Sequence, residues 1–358
     1  MSRTLIGAAL IAAVRALSWG RSAAAPAVQV TGDALRVDGT EFRVYGFNYE
    51  FDGTHPNLAY LDVPSRARLL RMRADFREAA ALGANTLRLY VELRHVMASP
   101  TRTRPEGLRA LRRTLAEARR AGLMVDLTGN LAWDAGRSPA WYDALPERER
   151  WQVQAGFWRA VAAVGARAPS LLFYELTSEP AIGDSPSWYA GRLGDQCFVQ
   201  FVVRKLRGRD PVALARAWTR LLRDAVRSQD RRHPVSIGLL PLRGWAFDPA
   251  NLWDLLDVVT VHKYPLEEHR AETAALIRHF AAQGRPLLLG ETFAFDRVAY
   301  EDFLLETSGL LAGTLSFYDG RAPHEVATTT PTGAMYRQNL ISYLGLRTSL
   351  GASPPALP

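Results

Sequence analysis

The chain contains one cysteine, Cys197, so no intramolecular disulfide can form and stability must come from a packed core. Lysine is nearly absent: only Lys205 and Lys263 occur, and arginine supplies the rest of the 44 basic residues behind a net charge of +8. Those arginines alternate with acids and apolar residues, as in Arg109, Arg112, Arg113, Glu117, Arg119 and Arg120, which is the pattern of a solvated helix face. No aromatic-basic groove motif accompanies them, so nucleic acid is not an expected partner. No Gly-x-Gly-x-x-Gly turn follows an apolar run, and the commonest dinucleotide signature is therefore missing. His95, His233, His269, His279 and His324 share no metal-ligand spacing; neither a metal nor a cofactor is expected.

Long apolar runs are also lacking. The longest N-terminal stretch, Leu5 to Val14, falls short of the ~20 residues a membrane span needs. It follows the basic Arg3 and precedes the small residues Ser22, Ala23, Ala24 and Ala25, so residues 1–27 read as an export signal. The expected product is secreted, extracellular or periplasmic, and free of the membrane once the signal is removed. The remainder, 28–348, reads as one folded domain with a flexible tail at 349–358, and a monomer is expected.

What is present is ordinary globular composition: 358 residues, 48% hydrophobic and 22% charged. Turn signals at Thr31-Gly32-Asp33 and Asp38-Gly39-Thr40 suggest a short β-hairpin. Apolar runs of strand length then recur at Phe42 to Phe47, Asn85 to Val91, Leu123 to Thr128, Leu171 to Thr177, Pro234 to Leu240, Leu256 to His262, Pro286 to Gly290 and Gly313 to Tyr318. Segments of helical spacing separate them: Ala67 to Leu82, Leu108 to Ala121, Glu147 to Ala168, Val212 to Gln229, Glu272 to Gln283 and Ala299 to Thr307. Gly83, Gly122 and Gly284 sit where left-handed C-terminal caps would end three of these helices. Near-continuous apolar strands are those of a parallel sheet covered on both faces, and eight in series is the number that closes a (β/α)8 TIM barrel. The expected fold is a single α/β barrel of this kind, with an insert after the fourth strand from Ala181 to Arg209.

A barrel of this kind works at the C-terminal ends of its strands. Glu179 follows the fourth apolar run and Glu291 the seventh, three positions apart around the ring. Two carboxyls facing across the mouth can approach to ~5 Å, the spacing at which one attacks a glycosidic carbon while the other protonates the leaving oxygen with net retention. Glu179 would need apolar or anionic surroundings to stay protonated, and Glu291 donors to stay ionised, with Arg88 and Tyr264 placed to supply them. Glu175, four residues before Glu179, should point inward and pair with an inward arginine.

Gly46-Phe47-Asn48-Tyr49, Asn85-Thr86-Leu87-Arg88, Tyr174-Glu175-Leu176-Thr177-Ser178-Glu179-Pro180, Val261-His262-Lys263-Tyr264-Pro265 and Gly290-Glu291-Thr292, in that order, resemble the motifs of clan A glycoside hydrolases. The closest resemblance is to glycoside hydrolase family five, the cellulase and β-mannanase family. It implies a TIM barrel in which Glu179 is the acid/base, Glu291 the nucleophile, Arg88 and Tyr264 supports of the nucleophile, and His262 a sugar contact. Asn48, Ser178, Trp133 and Tyr318 complete the expected substrate-binding set. One departure stands out, because the family has Asn where this chain has Ser178, and a hydroxyl cannot reproduce an amide's contact with a sugar 2-hydroxyl. The family's tryptophan platform after the eighth strand is replaced by Phe317 and Tyr318.

The expected partner is therefore a β-linked polysaccharide or oligosaccharide, a glucan or mannan, cleaved by double displacement without a cofactor. Ser178 also motivates an alternative, a catalytically impaired carbohydrate-binding barrel. A third reading, a metal-dependent sugar isomerase with Glu179, His262 and Glu291 as ligands, ranks last.

Overall fold

A computed structural model describes residues 27–49, 59–130, 136–193, 196–318 and 320–353. Residues 1–26 of the export segment, Trp133 and residues 354–358 lie outside the described residues. Eight parallel strands form a closed barrel: β1 Val44–Tyr49, β2 Thr86–Glu92, β3 Met124–Asn130, β4 Leu171–Ser178, β5 Val235–Leu239, β6 Val259–His262, β7 Leu287–Glu291 and β8 Gly313–Tyr318. Closure comes from β8 on β1, in register from Gly313 opposite Val44 to Tyr318 opposite Tyr49. Seven of the eight strands are buried along their whole length, because helices cover the outer face and side chains fill the interior.

The helices that cover the barrel are α1 Arg66–Ala81, α2 Pro105–Arg120, α3 Glu147–Gly165, α4 Pro211–Arg227, α5 Arg270–Ala281, α6 Arg297–Thr307 and α7 Pro331–Gly345. Only a four-residue helix, Pro249–Leu252, lies between β5 and β6. Ser65 and Asp210 cap α1 and α4 with side-chain oxygens that accept from first-turn N–H groups. Gly83 and Gly122, with φ +99° and +78°, take the left-handed cap that a Cβ would penalise.

Helix α7, which opens on Pro331-Thr332-Gly333, was not among the expected helices. Thr330 accepts from Gly333 N and Pro331 occupies the first turn, so the same residues start a helix. Its Tyr343 stacks on Tyr45 at 4.5 Å and its hydroxyl donates to the Thr314 carbonyl at 2.8 Å, joining α7 to β1 and β8. Beyond α7 the chain stays docked through Ser353, so residues 349–353 of the expected tail pack on the barrel. Leu350 is buried, and Ser353 accepts from Arg43 N through Oγ at 2.8 Å and from Asn85 Nδ2 through its carbonyl at 2.8 Å.

The expected hairpin is a three-stranded antiparallel sheet, Val28–Thr31, Ala34–Val37 and Thr40–Glu41. Its Leu35 and Val37 pack with Met124, Phe173, Leu288 and Leu315 from the barrel interior, sealing the N-terminal end so that the opposite end alone is left for chemistry. The insert after β4 forms a second small sheet from Pro180–Ile182, Tyr189–Leu193 and Gln196–Val203. Among the described residues, no helix is long and apolar enough to cross a membrane.

Candidate active site

Glu179 leaves β4 directly after Ser178, and its backbone is left-handed, φ +49°, which costs a non-glycine residue energy and is held here from both sides. Its N–H donates to the Gly238 carbonyl of β5 at 2.7 Å, and its carbonyl accepts from Gln200 N of the insert at 3.2 Å. Glu291 ends β7 and pairs in register with His262 at the end of β6. One carboxyl oxygen of Glu179, one of Glu291 and a ring nitrogen of His262 lie within 4.8 Å of one another.

Beneath this trio lies Arg88, completely buried. Its Nη1 donates to Glu291 Oε1, to Tyr90 and, at 2.8 Å, to Asn48 Oδ1; Nη2 donates to Glu175 Oε1 and, at 3.3 Å, to Ser178 Oγ. Its Nε reaches Thr128 Oγ1 and Glu175 Oε1, each at 3.1 Å. Glu175 is thus the inward carboxylate paired with an inward arginine that the strand parity implies. Tyr264 donates to Glu291 Oε2 at 2.7 Å and Tyr90 to Glu291 Oε1 at 3.1 Å, so three side chains donate to that carboxylate. His262 Nδ1 lies 2.7 Å from Glu179 Oε1 and 3.5 Å from Glu291 Oε1.

These contacts push the two glutamates apart. Burial raises Glu179 above the ordinary carboxyl range; His262 and Arg88 pull it down and the Glu291 charge raises it, with the net shift upward. Burial would raise Glu291 too, but His262, Arg88 and the Tyr264 hydroxyl overcome it and hold Glu291 at about 2. Burial and the Glu291 charge drive Tyr264 well above its usual value, which keeps it a donor. One carboxyl is built to carry a proton and the other to be an anion. Glu179 Oε2 is buried and has no hydrogen-bond partner.

No family model and no curated protein matches the chain; solved structures do. An endo-1,4-β-mannanase from Rhizomucor miehei aligns at 15% identity with a TM-score of 0.62, over 89% of this chain and 99% of its own. The chain shares its fold. An exo-β-1,4-mannosidase from an Opitutaceae bacterium (16% identity, TM-score 0.64) covers 89% of this chain and 62% of its own. A GH5_18 variant from Streptomyces cattleya in complex with Manβ1-4GlcNAc (16%, 0.60) covers 87% and 82%. The eight-stranded barrel with its covering helices is the architecture of these glycosidases.

Of the expected site residues, the fold gathers Glu179, Glu291, Arg88, Ser178, His262, Tyr264 and Asn48 around one point, but several face differently from what was expected. Asn48 is no surface contact: fully buried, its amide donates to the Gly290 and Ser316 carbonyls at 2.9 Å and its Oδ1 accepts from Arg88 and Tyr90. Ser178 turns its hydroxyl to Arg88, and His262 is 2% exposed with Nδ1 against Glu179, so both serve the protein's own side chains. Tyr318 points out of the barrel onto α1, where its hydroxyl donates to Glu78 at 2.7 Å; half-buried Phe317 is the aromatic residue of β8 left near the mouth. In the insert after β4, Trp188 is buried under the guanidinium of Arg150, 3.9 Å from its ring centre, and Tyr189 donates to Asp143 at 3.1 Å, so both pack the insert.

Tyr90 and Thr128 end apolar runs at the catalytic face but were not expected to have a role in the site, and Asp126 was missed. Tyr90 shares the parity of Arg88 on β2, and that alternation was the available signal. A second convergent group, Asp62, Glu92 and His95, was not expected, because Asp62 comes from a segment remote in sequence from Glu92 and His95. In both this group and the Glu179–His262–Glu291 trio, guanidinium groups already hold carboxylate oxygens that a cation would need: Arg88 on Glu291, and Arg94 and Arg137 on Asp62 and Glu92.

Proposed function

We propose that this chain is a secreted, retaining β-glycoside hydrolase that cleaves a β-linked mannan or glucan, mannan first. The observation that carries the reading is the approach of Glu179 and Glu291 to within 4.8 Å at the barrel mouth. That separation suits retention, for which ~5–5.5 Å is usual, and is too short for the ~6.5–9.5 Å of an inverting pair with its intervening water. Glu291, the anion, attacks the anomeric carbon while Glu179 delivers its proton to the departing oxygen. Water, deprotonated by Glu179, then releases the glycosyl-enzyme. The preference for mannan rests on the structural neighbours, two of which are named as acting on β-1,4-mannosidic substrates and a third of which is seen with Manβ1-4GlcNAc. Secretion rests on the basic, apolar and small-residue order of residues 1–27.

Proton NMR of a β-1,4-mannooligosaccharide digest tests the reading, with the β-anomer of the new reducing end expected to appear first. An α-anomer appearing first would refute retention. Oligosaccharide binding with no new reducing ends would favour the carbohydrate-binding alternative, for which Ser178, turned to Arg88, is the motive.

The pH profile follows from the charges. Activity rises as pH climbs through the low Glu291 value of about 2 and falls as it climbs through the raised Glu179 value. Tyr264→Phe removes one donor from the Glu291 carboxylate, so its acidic limb is expected to move to higher pH. kcat/KM should drop roughly 10- to 100-fold, the worth of a hydrogen bond to a charged group. An acidic limb that stays in place would remove Tyr264 from its role.

A further inference from the structure

On the inner face of β5, Gly238 brings bare backbone against the densest part of the polar cluster. A Cβ at this position would stand 2.6 Å from Glu175 Oε1, 2.8 Å from His262 Nε2 and 2.9 Å from Arg88 Nη2, all closer than real Cβ contacts come. None of the three can swing aside, because each is buried and Arg88 and Glu175 hold one another. The strand cannot back away freely either, since the Gly238 carbonyl accepts the Glu179 N–H at 2.7 Å. On the other side of β6, Gly290 of β7 offers a second gap: a Cβ there would lie 3.5 and 3.6 Å from His262 Cδ2 and Nε2, and 2.2 Å from Thr260 Cγ2. The imidazole thus occupies a slot between two strands that both present glycine to it.

We propose that Gly238 is a positioning residue: the missing side chain lets His262 reach Glu179 and Arg88 reach Glu291, while its carbonyl fixes the peptide of Glu179. The geometry stands by itself; its effect on turnover rests on the glycosidase reading. A methyl group at 238 pushes the imidazole off Glu179 Oε1, and Glu179 loses the contact that restrains its upward shift. The charged and titratable groups that face His262 are Glu179 and Glu291 on one side and, across Gly238, Glu175 and Arg88, so displacement of the ring is registered in the pH behaviour of the two carboxyls.

The test is Gly238→Ala in the full chain, beside Gly129→Ala on β3, where a Cβ would strike Trp158 at 2.4 Å on the face away from the mouth. The 238 variant is expected to lose about 100-fold in kcat, the cost of a ~1 Å misplacement, with little change in KM and its alkaline limb moved to higher pH. The 129 variant is expected to lose thermal stability with both limbs in place. Wild-type limbs in the 238 variant would overturn the proposal. A readout free of catalysis is the imidazole 15N spectrum of His262 at one fixed pH, whose resonances are expected to shift in Gly238→Ala because the ring leaves Glu179; unmoved resonances overturn the proposal even in a protein that cleaves no glycoside. Absence of turnover in the wild type would instead refute only the glycosidase reading. Should Gly238→Ala fail to fold, adding His262→Ala removes one of the three groups the new Cβ meets and is expected to recover part of the folded protein, and no recovery at all overturns the proposal.

Discussion

Glu291→Ala is expected to lower turnover of a β-linked oligosaccharide by about 10⁴-fold or more, because no other group in the site can form the glycosyl-enzyme. Azide should restore part of the rate. A small anion entering the space of the lost carboxylate attacks the anomeric carbon directly, so the product is the α-glycosyl azide, inverted relative to the substrate. The companion Glu179→Ala distinguishes the two roles. There the nucleophile remains, azide acts at the second step, and the product is the β-glycosyl azide. The assignment follows from environment: Glu291 is held ionised by Arg88, Tyr264 and Tyr90, whereas Glu179 is raised and keeps one oxygen free of partners. Turnover unchanged in Glu291→Ala, or azide products of the opposite anomeric configuration in the two variants, would break the assignment. Because Glu291 is 8% exposed and partnered by a guanidinium, its removal also strands a charge, so the variant's fold must be verified by circular dichroism before its rate is interpreted.

Much of the architecture was legible because a parallel strand buried on both faces leaves an apolar run, and such runs alternate here with helical spacing. The two glutamates were legible for the same reason: each follows directly on such a run. Orientation was harder to read. In Leu315-Ser316-Phe317-Tyr318 two adjacent aromatics end β8, and only the packing of Leu315 into the lower barrel assigns Phe317 inward and Tyr318 to Glu78. Asn48 and His262 lie at strand ends where a sugar contact is reasonable, yet barrel closure brings Arg88, Tyr90 and Glu179 to them first. Gly238, between Ile237 and Leu239, reads as one more small residue in an apolar strand. Its importance comes from side chains on β2, β4 and β6 that are remote in sequence and meet only when the ring closes.

Arg88 gathers those side chains, and Arg88→Met tests whether it holds the site by charge or by bulk. Methionine fills much of the same volume without charge or donors, so the substitution leaves Glu175 and Glu291 buried with their shared cation gone. Removing one partner of a buried ion pair costs roughly 3–5 kcal/mol. At ~2–4 °C per kcal/mol for a large domain, the thermal midpoint should fall by about 10 °C, and activity should vanish with it. The dependence on pH separates charge from packing. In the wild type, Glu291 has a folded value of about 2, below its unfolded value of ~4.3, so its contribution is present above about pH 4 and is lost as pH falls toward 2. Without Arg88, His262 and Tyr264 are left to oppose burial and the folded value rises toward the unfolded one, so the stability that ionised Glu291 contributes above about pH 4 shrinks. The deficit of the variant should therefore be largest near neutrality and narrow on acidification. A deficit equal at pH 4 and pH 7 would mean that Arg88 contributes packing alone, and Glu291 would then need another explanation for remaining an anion inside a barrel.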